Sequence, residues 1–298
     1  MSAVSSSELE VGLAAEDLDV VAGRRRLGIG FWLAVGWLTL IIVLAVLAPL
    51  LPLRDPTNTL DGDISAGLFS GHNILGTDGA GRDLLARTIF GARVSLLIGF
   101  ASVAFGILIG GTLGIIAGYH RGRLESGLMG LMDVSLAFPA IVFAVLLVTI
   151  LGRELGSILL AIGIISIAPI GRLSRANTLA FSQREFVTAA RGLGARDLRI
   201  MRQEILPNVI VPMTSLALLG VGLAIVAEGA LAFLGLSVQG DTLTWGNLIR
   251  LGAAGNTLKT TPLGAFVPIT ALFLTVLSLN FIGDRLRSHF DIREAFGA

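Results

Sequence analysis

Few residues in this chain have the type and spacing for bond-making chemistry. There is no cysteine, which excludes disulfides, thiolate nucleophiles and zinc-thiolate sites, and His72, His120 and His289 stand too far apart for a local metal-ligand spacing. A phosphate-cradling P-loop needs G-x4-G-K-[ST], whereas the single lysine, Lys259, follows Leu258. Without such a loop the chain must draw energy from a partner or from an ion gradient. No H-E-x-x-H motif occurs, and no serine pairs with a histidine inside an apolar run, so hydrolysis at membrane depth has no candidate residues.

What remains is a set of residues suited to mechanical work. The stretch "RLSRANTLAFSQREFVTAARGLGARDLRIMRQEILPN" is too long for a hairpin turn and too regular for a linker. Ser182 and Glu185 form an S-x-x-E capping box, which predicts a helix from Gln183. Gly192 or Gly194 can take the left-handed conformation that ends it. A second helical run over "ARDLRIMRQEIL" is expected to stop at Pro207. The elbow carries Phe186, Val187, Ala189, Ala190 and Leu193, an apolar knob ringed by arginines. Two readings stand: a knob received by another protein, or an amphipathic hairpin lying on anionic headgroups.

Three further features lie in apolar surroundings. Gly106, Gly110, Gly114 and Gly118 recur every four residues, a small-xxx-small ridge that lets another helix approach closely, whether of this chain or of a second subunit. Glu228 sits late in an apolar run, where a carboxylate costs about 2.5–3.5 kcal/mol unless it faces protein, water or an interface. A pathway-lining role competes there with a buried hydrogen bond or snorkelling. Asp133 is expected to open a helix, where its charge complements the dipole.

The elements that position these residues follow from composition. Of 298 residues 54% are hydrophobic and 14% charged, against about 45–50% and 25% in soluble domains, so the chain is an all-α integral membrane protein. Its net charge of +1 says nothing about nucleic acid or acidic partners, and no nucleic-acid partner is expected. Crossing a ~30 Å hydrocarbon core takes about 20 apolar residues. Apolar runs, free of charge inside their bounds except for Glu228, lie within 27–53, 93–121, 133–153, 154–172, 207–233 and 259–284, which predicts six transmembrane helices. The first run is too long for a signal-peptide core and is expected to be retained.

Orientation follows from the basic residues beside the spans. With the N-terminus inside, fifteen arginines are cytoplasmic, seven of them between Arg172 and Arg202, and seven basic residues lie outside. Both termini are therefore expected in the cytoplasm. The expected organisation is a tail at 1–26, a first span at 27–53 and an extracytoplasmic loop at 54–93. A core at 94–283 follows, holding the loop at 172–208, and the chain closes with a tail at 284–298. Segment 71–93 is read as a turn followed by a short interfacial helix, and Trp245 with Asn247 as an interfacial anchor.

The loop resembles the EAA pattern, E-A-A-x3-G-x9-I-x-L-P, of permease subunits in bacterial ABC importers for dipeptides, oligopeptides and nickel chelates, of the DppC/OppC kind. The aligned residues are Thr188, Ala189, Ala190, Gly194, Glu204, Leu206 and Pro207, with Thr188 replacing glutamate and Glu204 replacing isoleucine. "LGTDGAGRDLLARTIFGARVSL", "DVSLAFPA", "AEGALAFLGL", "TWGN" and "GDRLR" are similar to that family's signatures in order, from about 70 to 293. The resemblance implies a type I ABC importer permease fold without a cofactor of its own. It further implies a non-catalytic chain whose elbow (Glu185, Thr188, Ala189, Ala190, Gly192, Gly194, Leu206, Pro207) docks on ATP-binding subunits carrying ATP and Mg. A homologous second permease and an extracytoplasmic substrate-binding protein are the other implied partners. An ion-coupled secondary transporter is the alternative, but it usually shows inverted repeats and several intramembrane ionisable groups.

Overall fold

The computed structural model describes residues 28–59, 64–70 and 73–296, with side chains to residue 288. The tail expected at 1–26 lies outside the described residues, as do His72 and the side chain of His289. Among the described residues five helices are long and apolar enough to cross a bilayer: α1 (Ile29–Leu47), α2 (Leu84–His120), α5 (Leu155–Phe181), α7 (Asp197–Phe233) and the membrane-length part of α10 (Leu263–Phe296). Between α2 and α5 lie α3 (Gly122–Ala137) and α4 (Ala140–Leu151), bent by 92° at Phe138-Pro139. They make a sixth span only if the pair is counted as one. The straight helix expected at 133–153 is thus replaced by a corner, because the residue before a proline is pushed out of the helical region, and Phe138 is extended.

The corner also moves Asp133. Instead of opening a helix it lies in the last turns of α3, the unfavourable end of the dipole, and Arg172 answers its charge at 3.5 Å. The interfacial helix expected after the turn at 76–83 is likewise absent as a separate element. Asp83 accepts from the Ala86 N–H and starts α2 at Leu84, and that helix continues without a break to His120. At the other end of the chain, the segment expected to be a tail beyond 284 continues α10 as helix to Phe296.

The main core gathers Ile98 and Val103 of α2, Ile158 and Ile162 of α5, Ile225 and Leu231 of α7 and Leu279 of α10. α1 joins its side through Phe31 and Ala34 against Ile282. Outward-facing apolar side chains, among them Trp32, Leu108, Ile150, Leu223 and Phe273, remain more than half exposed. In a water-soluble protein these would be buried; here they meet lipid or protein.

The glycine ridge faces α5. A Cβ built at Gly106 would lie 2.8 Å from Ser166 Cβ, and one at Gly118 2.8 Å from the Arg175 carbonyl oxygen. At Gly110 and Gly114 it would run into the carbonyl oxygens of Ile167 and Gly171. Ser174 Oγ uses the closeness to donate to Gly111 O at 2.8 Å, and Ser102 Oγ donates to Leu159 O at 2.9 Å. α2 widens into a π-helical turn at Ile107–Gly111, in the middle of this seam.

Candidate functional site

The loop region is built on the ends of two long helices. α5 continues past Arg172, where the charge pattern places the start of the loop, and ends only at Phe181, so the polar segment begins later than expected. Ser182 closes that helix: its backbone is helical (φ −65°, ψ −13°) and its hydroxyl donates to Leu179 O at 3.0 Å. It therefore cannot cap the next helix, which requires extended backbone, and the capping box expected with Glu185 does not form. α6 (Glu185–Gly192) starts instead after Arg184, without a side-chain cap.

Two turns later the chain reverses at Gly194, whose φ of +81° is the left-handed conformation open to glycine, whereas Gly192 is still helical. The second run does not stop at Pro207. It is π-helical over Ile200–Ile205 and passes into the long helix, so α7 is continuous from Asp197 to Phe233. Pro207 falls in the first turn after the π stretch, inside the continuous helix, where the widened turn before it takes up the break in the bonding ladder.

Val187 is fully buried in a small core with Ile115, Ile200, Ile205, Val209 and Met213, which fastens α6 to α2 and α7. A polar clasp closes the rim. Tyr119 Oη donates to Asp197 Oδ1 at 2.6 Å and accepts from Arg191 Nη2 at 3.2 Å, with the Arg191 guanidinium 5.8 Å from the ring centroid. Leu193, in contrast, is 90% exposed at the tip, next to Gly194, and Leu198 is 73% exposed. Glu185, Thr188 and Ala189 are exposed on the same element, and Ala190 is half-buried. Leu206 is half-buried and Pro207 exposed. Sequence reasoning missed the clasp, since Tyr119 and Asp197 are 78 residues apart.

Glu228 lies at the opposite end of α7 and is fully buried. Its Oε1 accepts from Ser237 Oγ at 2.6 Å and from Thr244 Oγ1 at 2.8 Å. Thr244 also caps α8 (Trp245–Ala253), accepting from the Asn247 N–H at 3.0 Å, so the carboxylate faces the positive end of that helix. The short α9 (Thr257–Thr260) then leads into α10. Trp245 is fully buried rather than an interfacial anchor: its indole donates to Thr88 O and its backbone N–H to Ser95 Oγ, each at 3.0 Å. Tryptophan's large apolar body, once its N–H has a partner, gains more from the interior. Among the described residues no cluster of histidine and acidic side chains could hold a metal ion.

A bundle of long apolar helices with a braced loop at one end and a buried polar knot at the other defines a multi-pass transport protein of the permease class. Residues 110–295 match the family described as the binding-protein-dependent transport system inner membrane component, and the chain belongs to this family. It is 37% identical over 259 residues to the dipeptide transport system permease protein DppC of Alkalihalophilus pseudofirmus, covering 85% of this chain and 83% of that one. The glutathione transport system permease protein GsiD of Pectobacterium atrosepticum is 37% identical over 253 residues, with the same coverage. The fold is similar to that of the MetNI methionine ABC transporter in an inward-facing conformation, with a TM-score of 0.59 and 17% identity over 69% of this chain and 97% of that one. The chain is thus an ABC importer permease subunit with a type I fold, a multi-pass component of the bacterial plasma membrane. Family membership sets aside the ion-coupled alternative.

Proposed function

We propose that this chain forms half of a translocation pathway for dipeptides or oligopeptides and takes its driving force from ATP-hydrolysing partner subunits seated on the 182–207 loop. The loop then faces the cytoplasm, as do both termini, and the Glu228 end faces outward. A homologous permease supplies the other half, and an extracytoplasmic binding protein delivers the solute. This chain itself catalyses nothing; ATP and Mg belong to the partners.

One observation carries the reading: Leu193 is 90% exposed at the end of the short helix whose Val187 is fully buried. A braced element with a bare apolar tip suits a rigid peg, because force applied at the tip reaches α2 and α7 through the Val187 core and the Tyr119 clasp. Nucleotide-driven movement of the partners would then rock the bundle between its two access states. The dipeptide assignment is supported by the relatives' names, and the glycine ridge gives the bundle a stiff seam.

The test uses Leu193→Asp and Gly194→Val in the assembled transporter. Both variants are expected to insert normally, to lose co-purifying ATPase subunits and to abolish uptake of a labelled dipeptide. Wild-type uptake in both would overturn the assignment of the loop.

A further inference from the structure

At the end of the molecule opposite the 182–207 loop, four arginines from three segments line one chamber of about 430 Å³. Arg82 and Arg87 flank the start of α2, Arg153 lies in the turn between α4 and α5, and Arg250 lies on α8. Asp78 answers the first two, at 2.8 Å and 3.6 Å, and Arg87 also donates to Pro56 O at 2.7 Å. The other two have no such answer. Among the described residues neither Arg153 nor Arg250 has an ion pair, and the Nε of each is buried without a hydrogen-bond partner.

Other acids nearby do not supply one. Asp55 is engaged by the hydroxyl and N–H of Thr57, at 2.6 Å and 2.8 Å, which hold its carboxyl below the usual range. Asp83 caps α2. Asp241 lines the chamber but sits at its exposed border. Both residues are half-buried, and an arriving anion can take the hydrogen bond that each shielded Nε lacks.

The walls are held in place before any ligand arrives. The Gln239 N–H donates to Arg153 O at 3.0 Å, and Asn247 Nδ2 donates to Val238 O at 3.2 Å, tying the 238–243 loop to both sides. Next to the chamber, and sharing Thr57, Asp241, Thr242 and Leu243 with it, is a mainly apolar recess of about 350 Å³ lined by Pro56, Phe90, Val94, Leu97 and Leu155 and by the exposed Arg93. A cationic chamber, an acid at its border and an apolar annex match three groups on one molecule: a carboxylate, an ammonium and an apolar side chain. The chamber's volume falls in the range of roughly 300–1,000 Å³ seen for small-molecule sites.

We propose that this chamber is an outer binding site for a short peptide with a free C-terminus, its carboxylate held between Arg153 and Arg250 and its apolar side chain in the Phe90–Leu97 recess. Asp241 receives the ammonium. The inference rests on the permease reading above for which end meets the delivered solute.

The test measures binding alone, by calorimetry, with the permease complex in phosphatidylcholine nanodiscs and neither nucleotide nor binding protein present. The dipeptide Ala-Phe is expected to bind saturably, and its C-terminal amide at least tenfold more weakly. Replacing both arginines, Arg153→Gln and Arg250→Gln, is expected to cost a similar factor while leaving the thermal midpoint unchanged. Equal binding of acid and amide, or no saturable binding to the unaltered protein, would overturn the site; that comparison needs no variant to fold. Loss of Ala-Phe binding in phosphatidylglycerol nanodiscs would assign the chamber to a lipid phosphate and overturn it. Tighter binding after Asp61→Asn with Asp63→Asn would assign it to the chain's own carboxylates, with the same consequence. Leu193→Asp separates the two readings, since it is expected to stop uptake and leave Ala-Phe binding intact.

Discussion

Adding one methyl group at Gly114 sets two opposed effects against each other. In an exposed helix, alanine for glycine gains about 1 kcal/mol of helix propensity. At Gly114 the new Cβ would meet the Gly171 carbonyl oxygen, lie 2.6 Å from Ser174 Cβ and 2.9 Å from the Arg175 nitrogen. Carbon contacts are comfortable at about 3.5–4.0 Å, so α2 and α5 must part by roughly 1 Å at this point. Two of the obstacles are backbone and cannot rotate away. Overpacking of this kind costs about 1–3 kcal/mol, and parting the helices stretches the Ser174–Gly111 hydrogen bond, worth about 1 kcal/mol more. The net expectation for Gly114→Ala is a loss of about 1–3 kcal/mol. Gly127→Ala is the control, since a Cβ there meets nothing within 4 Å and only the propensity gain remains. Thermal unfolding of the detergent-purified complex should therefore show a lowered midpoint for the first variant and an unchanged or raised one for the second. If both variants melt alike, the seam is not close-packed and the reasoning fails.

Two further outcomes follow from the polar contacts. Glu228→Ala leaves the buried hydroxyls of Ser237 and Thr244 without their acceptor, an expected loss of about 2–4 kcal/mol, whereas Glu228→Gln keeps an acceptor oxygen and should lose less; the thermal midpoints of the two variants check the order. Tyr119→Phe removes the hydroxyl between Asp197 and Arg191 and should lower uptake about twofold to fivefold without changing the amount inserted. Adding Asp197→Asn to it should cost little more, and fully additive losses would refute the clasp.

The linear order of residues determined the class of protein and the approximate positions of its spans, because apolar length and the absence of charge are local properties. It also located the short helix of the loop to within two residues of its start and narrowed the turning glycine to Gly192 or Gly194, since a left-handed bend needs no distant partner; the fold takes it at Gly194. Local rules failed where two elements competed for the same residue. Ser182 reads as the start of a helix and serves as the end of another; Pro207 reads as a stop and is absorbed after a π-helical stretch; Asp133 reads as a beginning and lies near an end. Only the tertiary structure decided which helix fills the glycine ridge, which hydroxyls meet Glu228 and, among the described residues, which arginines keep a shielded Nε without a hydrogen bond. Those outcomes depend on residues brought together across the bundle, and no spacing along the chain encodes them: Trp245 finds Ser95 150 residues away.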